Sequence, residues 1–331
     1  MSRFVNLGEI MLRLKAKGHE RLLQSPAFEA TFGGSEANVA VSLANFGLDS
    51  SFVTALPDND IGDLALMELR KFGVDVSQVV RSGHRVGVYY LEAGSNQRPS
   101  RVIYDRRGSS IAETDAGLFD WDAIFSDAAW FHISGITPAL SLQAASLSLE
   151  ACRQARERNV AISCDLNHRA QLWQYGKSAP EVMTGLVELA DVAIGNASNC
   201  RASLGIEAEN HEALAQKVTD RFPNLSTLAI TNRQSQSADR NTLSAALWSE
   251  GEFLDGPRYK IRDIVDRVGG GDAFAAGLIF GLQHYPDKAQ ALAFATAAGC
   301  LKHTIPGDFN RVSVAEVEAL VGGDASGRVR R

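Results

Sequence analysis

Residues 266–282 read Asp266-Arg267-Val268-Gly269-Gly270-Gly271-Asp272-Ala273-Phe274-Ala275-Ala276-Gly277-Leu278-Ile279-Phe280-Gly281-Leu282, a glycine run that opens straight into a helical pattern. Phe274, Leu278, Ile279 and Leu282 recur at helical spacing and predict one apolar stripe. A glycine-rich turn at a helix start leaves backbone N–H groups unpaired at the positive end of the helix dipole. That suits phosphate, and above all the charge that builds on a phosphoryl group in transfer. Asp272 falls in the first turn, where a carboxylate at the mouth of the anion site can take a proton from a hydroxyl. One short motif thus offers both parts of phosphoryl transfer to an alcohol. The plainer alternative is a turn followed by an Asp cap. No Gly-Lys-Ser/Thr follows, so this is not a Walker loop, and the Gly-x-Gly-x-x-Gly spacing of a dinucleotide site is absent.

Upstream of this motif the chain alternates strands and helices. Strands are expected at Trp130–Ser134, Val160–Asp165, Val192–Gly195 and Thr227–Thr231, with helices over 141–158, 179–190, 198–204 and 209–221. Such alternation predicts a parallel sheet covered on both faces. Ligands of such sheets bind beyond the carboxyl ends of the strands. Asp165, Asn167, Arg169, Asn196, Thr231 and the glycine run converge there. Leu243–Trp248 reads as an outer strand, and helices over 288–300 and 313–321 close the chain.

Nearer the N-terminus, Phe4–Ile10 reads as a buried first strand. Gly33-Gly34-Ser35-Glu36-Ala37-Asn38-Val39-Ala40 leads into a helix through Leu43 and Phe46. Its paired glycines allow close backbone approach to a ligand, with Ser35 and Asn38 placed to bond hydroxyls; a loop with a Ser cap is the plainer reading. Residues 11–32 make an excursion from the sheet, and 85–92 with 101–105 read as a hairpin. Together, over 11–32 and 85–110, they would form a small β lid on a single domain spanning 1–331. Tyr90, Tyr104, Arg106 and Arg107 lie on or near it, and such a surface equally suits a dimer contact. Its exposed apolar faces favour a homodimer or a higher homo-oligomer.

The 331 residues are 45% hydrophobic and 22% charged, an ordinary globular balance. The net charge of −6, without a basic cluster in the body of the chain, argues against nucleic acid or anionic membrane partners. The basic end Arg328-Val329-Arg330-Arg331 reads as a frayed tail. Cys152, Cys164, Cys200 and Cys300 form no CxxC pair, so a zinc site or disulfide framework is not expected and a reducing cytoplasm fits. The first residues show no signal-peptide pattern, and no apolar run reaches membrane-spanning length.

Two motifs, far apart and in order, carry a resemblance. Gly33–Ala40 resembles the N-terminal signature of the ribokinase-like (PfkB) carbohydrate kinases, and Asp266–Phe274 resembles their C-terminal signature. Within that family, Ile103-Tyr104-Asp105-Arg106, Asp165–Trp173 and the ending His303–Phe309 look like the branch acting on 2-keto-3-deoxygluconate. The resemblance implies a three-layer α/β/α fold with a mostly parallel sheet plus a small β-strand lid. It implies an ATP- and Mg2+-dependent kinase for the primary hydroxyl of that sugar acid. Asp272 would be the base, and Gly269, Gly270 and Gly271 the anion hole. Gly34, Ser35, Asn38, Tyr90, Tyr104 and Arg106 would hold the sugar acid, and Arg169 its carboxylate or the phosphates. An acid sugar needs a cation, and Arg offers carboxylate a planar two-pronged donor. The alternatives are a surface charge for Arg106 and a pairing with Asp165 for Arg169. Asn167, Asn196, Thr231, Arg233 and Ser235 would face the nucleotide. Asp266 would help place a monovalent cation such as K+, with a cap or packing role as its alternative.

Two departures stand out. Asn196-Ala197-Ser198-Asn199 has Asn where the family places a Glu that orders magnesium. Thr231–Ser237 lacks the glycines of the family's nucleotide loop, so side chains such as Arg233, Ser235 and Ser237 would replace backbone contacts. Another sugar kinase of the family, such as a fructokinase, and a noncatalytic sugar-acid sensor are the rival readings. An intact Asp272 and three glycines speak against the sensor, which has no need of a base.

Overall fold

Val192-Ala193-Ile194-Gly195 is buried along its whole length, as a strand covered on both faces must be. The computed structural model describes residues 2–324, so the basic end lies outside the described residues. Its strands are β1 (Arg3–Leu7), β2 (Met11–Ala16), β3 (Phe28–Gly33), β4 (Asp49–Val53), β5 (Ala55–Leu56), β6 (Val80–Arg81), β7 (Gly87–Glu92), β8 (Arg101–Asp105), β9 (Ala128–Ser134), β10 (Ala161–Asp165), β11 (Val192–Gly195), β12 (Thr227–Ser235), β13 (Asn241–Ser249), β14 (Glu252–Asp255) and β15 (Tyr259–Ile261).

The main sheet runs β14-β13-β12-β11-β10-β9-β1-β4, with β15 also on β13. Every neighbouring pair from β12 to β4 is parallel, and beyond β12 the strands β13, β14 and β15 pair antiparallel. Alternate side chains along the strands feed two cores. Ile133, Ile162 and Leu228 pack with Leu147, Met183 and Val218 on one face. Trp130, Ile194 and Leu247 pack with Leu43, Phe274 and Phe294 on the other. This is the three-layer α/β/α arrangement of the ribokinase-like fold. A second sheet, β3-β2-β7-β8, holds the 11–32 excursion and the antiparallel hairpin of β7 and β8.

Three expectations change. The helix Gly270–His284 has no single apolar stripe, because every residue from Ala273 to Gly281 is buried. It lies inside the domain, with Phe274 and Phe280 packed among residues of the sheet and of the helices Ser35–Asn45 and Lys288–Lys302. The first strand stops at Leu7 rather than Ile10. β12 does not end at Thr231 but continues to Ser235, because β13 pairs with it in register from Thr227↔Ser249 to Ser235↔Asn241. Among the described residues, no helix is long and apolar enough to cross a membrane.

Candidate active site

Gly269 caps the helix Gly270–His284 at φ 81°, a left-handed conformation that favours glycine. A Cβ there would lie 2.1 Å from the backbone oxygen of Asp308, whereas at Gly271 it would meet nothing within 4 Å. Gly269 is therefore held by the protein, and Gly271 faces open space. That space is a cavity of about 730 Å3 lined by Gly269, Gly270, Gly271 and Asp272.

Asp272 is 8% exposed. Its Oδ1 accepts from Ser35 Oγ at 2.9 Å and its Oδ2 from Asn38 Nδ2 at 2.6 Å. The first turns of two helices, far apart in sequence, thus meet at one carboxylate. Burial pushes Asp272 up to about 6, while the bonds from Asn38 and Ser35 pull the other way. A base of that strength is ionised at neutral pH and still takes a share of a proton in a transition state.

At the expected sugar end, Gly34 lines the cavity, but the chain itself makes the close approach that glycine permits there. A Cβ on Gly34 would lie 1.9 Å from the Glu9 carbonyl oxygen. Tyr104 and Arg106 also line the cavity. Arg106 is 8% exposed, which rules out a surface charge. Its Nε and Nη2 both donate to Glu9 Oε2, the former at 2.7 Å, and its guanidinium lies 5.4 Å from the Tyr104 ring centre. Nη1 takes no part in that pair. Tyr90 does not face the cavity: its ring meets Phe28 edge-on at 6.0 Å. Tyr89 lines the cavity instead, its hydroxyl donating to Asp308 Oδ1 at 2.6 Å. Strand alternation decides between neighbours, and the register of β7 turns Tyr89 inward.

The other end is built from strand ends. Asn196 accepts from the Asn199 N–H at 2.8 Å, and the Asn199 side chain accepts in return from the Asn196 N–H at 3.2 Å. The Asn that departs from the family pattern thus closes a capping box on the helix Ala197–Leu204. Asn167 donates to Ser35 Oγ at 3.3 Å, and Thr231 donates to the Gly195 carbonyl at 3.2 Å. Arg169, Arg233 and Arg267 line this end together. Desolvation, then the like charges of Arg267 and Arg169, push Arg233 below its ordinary value. Arg169 acts through space on Asp165 and Asp272. Ser235 is not brought in: it sits exposed at the end of β12, opposite Asn241.

Asp266, read as a place for a monovalent cation, is already engaged. Its Oδ2 pairs with Arg13 and accepts from the Gly307 N–H at 3.2 Å, and its Oδ1 accepts from the Val268 N–H at 3.1 Å. The residues present do not fit an exchangeable ion at this carboxylate.

The chain matches the model of the pfkB family carbohydrate kinases over residues 1–311. It belongs to the pfkB family of carbohydrate kinases. It is 45% identical to a 2-dehydro-3-deoxygluconokinase of known structure from Thermotoga maritima, covering 97% of this chain and 98% of that one, with a TM-score of 0.93. It is 31% identical to a 2-dehydro-3-deoxygalactonokinase from Haloferax volcanii, over 98% of each. It is 27% identical to a 2-dehydro-3-deoxygluconokinase from Bacillus subtilis, over 94% of this chain and 93% of that protein.

Several residues of this kinase's site escaped sequence reasoning. Glu36, within Gly33–Ala40, reads in the sequence as an ordinary surface acid near a helix start. It is fully buried, and its Oε1 accepts from Ser134 Oγ at 2.8 Å and Thr137 Oγ1 at 2.9 Å. Burial pushes it up to about 7. Asp165, expected at this end of the sheet, does line the cavity, but its raised value, about 7 through burial and then the charge of Asp272, is not legible in the sequence. His303 lines the cavity with Nδ1 2.7 Å from the Gly299 oxygen and Nε2 unpartnered; burial pushes it down to about 4, so the ring is neutral. Arg13, in Met11-Leu12-Arg13-Leu14, had one signal: a charge at a strand position where alternation asks for an inward apolar residue.

Proposed function

We propose that this carbohydrate kinase transfers a phosphoryl group from ATP to the primary hydroxyl of 2-keto-3-deoxygluconate, with Asp272 as the base. The observation that carries the reading is the convergence of Asp272, held by Ser35 and Asn38, with open Gly271 and buried Arg106 in one cavity. Arg106 presents its remaining nitrogen to the sugar carboxylate while Glu9 fixes its plane. Tyr104 supports that guanidinium from one side. Arg169, Arg233 and Arg267 receive the triphosphate of ATP, because three cations brought together need a polyanion. Asn167 and Asn196 border it; Thr231, its hydroxyl bonded to Gly195, shapes the wall. Bound Mg2+ would neutralise charge between the phosphates. Among the described residues no group of three or more acids, histidines or cysteines is placed to hold a metal, so Mg2+ would arrive with the nucleotide.

The relatives named for the gluconate and galactonate forms leave an epimeric choice at one carbon. The 45% identity to the Thermotoga maritima protein favours the gluconate form. We also assign β2, β3, β7 and β8 the role of a lid on a single kinase domain. The exposed strand β8, with Val102, Ile103 and Tyr104, would pair with a second copy. Four free cysteines suit the cytoplasm.

The test is ADP release with ATP and magnesium against 2-keto-3-deoxygluconate, 2-keto-3-deoxygalactonate, gluconate, fructose and ribose. Turnover on a keto-deoxy acid supports the reading. Turnover on fructose alone would keep the family and remove the role of Arg106. Binding of the acid without ADP formation would make the protein a sensor.

A further inference from the structure

Beneath the glycine run lies a buried charge cluster that the reaction as described does not use. Arg13 is among the largest fully buried side chains of the protein. It comes from β2 of the second sheet, yet its guanidinium ends between Asp266 and Asp308, which flank the helices Gly270–His284 and Lys288–Lys302. Burial works against its charge, but Asp308, Tyr89 and Asp266 outweigh it. Lys302 is buried beside them and donates to the Ile305 carbonyl at 3.1 Å.

The two acids hold the anion hole from both sides. Asp266 accepts from the Val268 N–H, one residue before Gly269. The Asp308 backbone oxygen would be 2.1 Å from a Cβ on Gly269, and its carboxylate 2.0 Å from a Cβ on Gly33, so both glycines pack against Asp308 with no room for a side chain. Tyr89, from β7, adds a hydroxyl to Asp308. One guanidinium therefore ties the second sheet, the glycine run and the loop after Lys302 into a single joint.

We propose that Arg13 is a positioning residue that acts as the built-in cation of the anion hole, holding Asp266 and Asp308, and through them Gly269, in the geometry that phosphoryl transfer needs. The inference rests on the kinase reading above. It makes an exchangeable monovalent ion unnecessary, because the charge that such an ion would bring is fixed to the chain.

The experiment compares wild type with Arg13→Ala in potassium, sodium and tetramethylammonium chloride at equal ionic strength. Turnover and melting temperature are both read, and millimolar guanidinium is added to each. Wild-type turnover is expected to vary less than about twofold among the salts, since a covalently held charge does not exchange. Arg13→Ala is expected to lose about a hundredfold in kcat through misplacement of the hole, with KM values moving less than about threefold. Part of that loss should return with guanidinium or potassium, which fit the vacated space between the acids. Three results would each overturn the proposal: saturable activation of wild type by potassium of about tenfold or more, a folded Arg13→Ala with wild-type kcat, or a slow variant deaf to every cation. Should Arg13→Ala fail to fold, the wild-type comparison decides alone. Melting temperature needs no acceptor: it should be the same for wild type in all three salts and rise for the variant with guanidinium. A wrong sugar assignment therefore leaves this test standing.

Discussion

Replacing Asp272 by Asn separates catalysis from stability. The side chain keeps its shape, so its oxygen can still accept from Asn38 while its new amide donates to the Ser35 hydroxyl, which accepts as well as donates. What is lost is the ability to take a proton. A positioned general base is worth roughly 10²–10⁴ in rate, or about 3–5 kcal/mol, and kcat should fall by that factor with ATP binding retained. Stability should move the other way. The buried carboxyl is raised from 3.8 to about 6, a shift of about 3 kcal/mol by the usual conversion. Because the folded value lies above the unfolded one, the native state holds the proton more tightly. Wild-type stability from this group is complete below pH 3.8 and is lost as pH rises through about 6. Asn carries no such loss. At pH 8 the variant should therefore melt at an equal or higher temperature, by up to about 3 kcal/mol of stability, and the difference should vanish near pH 4. ADP release and thermal unfolding across pH 4–8 measure both. A kcat within about threefold of wild type would remove Asp272 as base. A variant that melts lower at pH 8 than at pH 4, relative to wild type, would refute the argument from burial.

The other expectations follow from the same site. Turnover should fall as pH drops through about 6, because Asp272 must be ionised to accept a proton; a rate flat down to pH 5 would contradict its raised value. Gly271→Ala places a methyl in open space and should lower kcat by about tenfold or more with little change in melting temperature. An unaltered rate would mean that Gly271 does not face the transferred group. Arg106→Ala should raise KM for acid sugars more than for neutral ones, and equal effects on both would count against a carboxylate contact.

Much of the fold was legible because it is local. Val192–Gly195 is one apolar run bounded by turns, and the helices over 141–158 and 209–221 announce themselves by period; the structure moves their ends by only a residue or two. The glycine run beside an acid was legible for the same reason: it is contiguous. Thr227–Ser235 was read too short, since nothing within it says that β13 will lie alongside to Asn241.

By itself, the sequence determined the alternation of elements, the family and the placing of Asp272 in the first turn of a helix. It could not determine partners. Ser35 and Asn38 reach Asp272 across 237 and 234 residues, and Arg13 reaches Asp266 across 253. Tyr89 rather than Tyr90 faces the cavity because of a register set by the neighbouring strand. Such choices depend on which groups arrive together when the chain closes, and on the cost of leaving any buried charge unpaired. Only the tertiary structure decided that an arginine of the second sheet would end buried between Asp266 and Asp308, next to the glycine run.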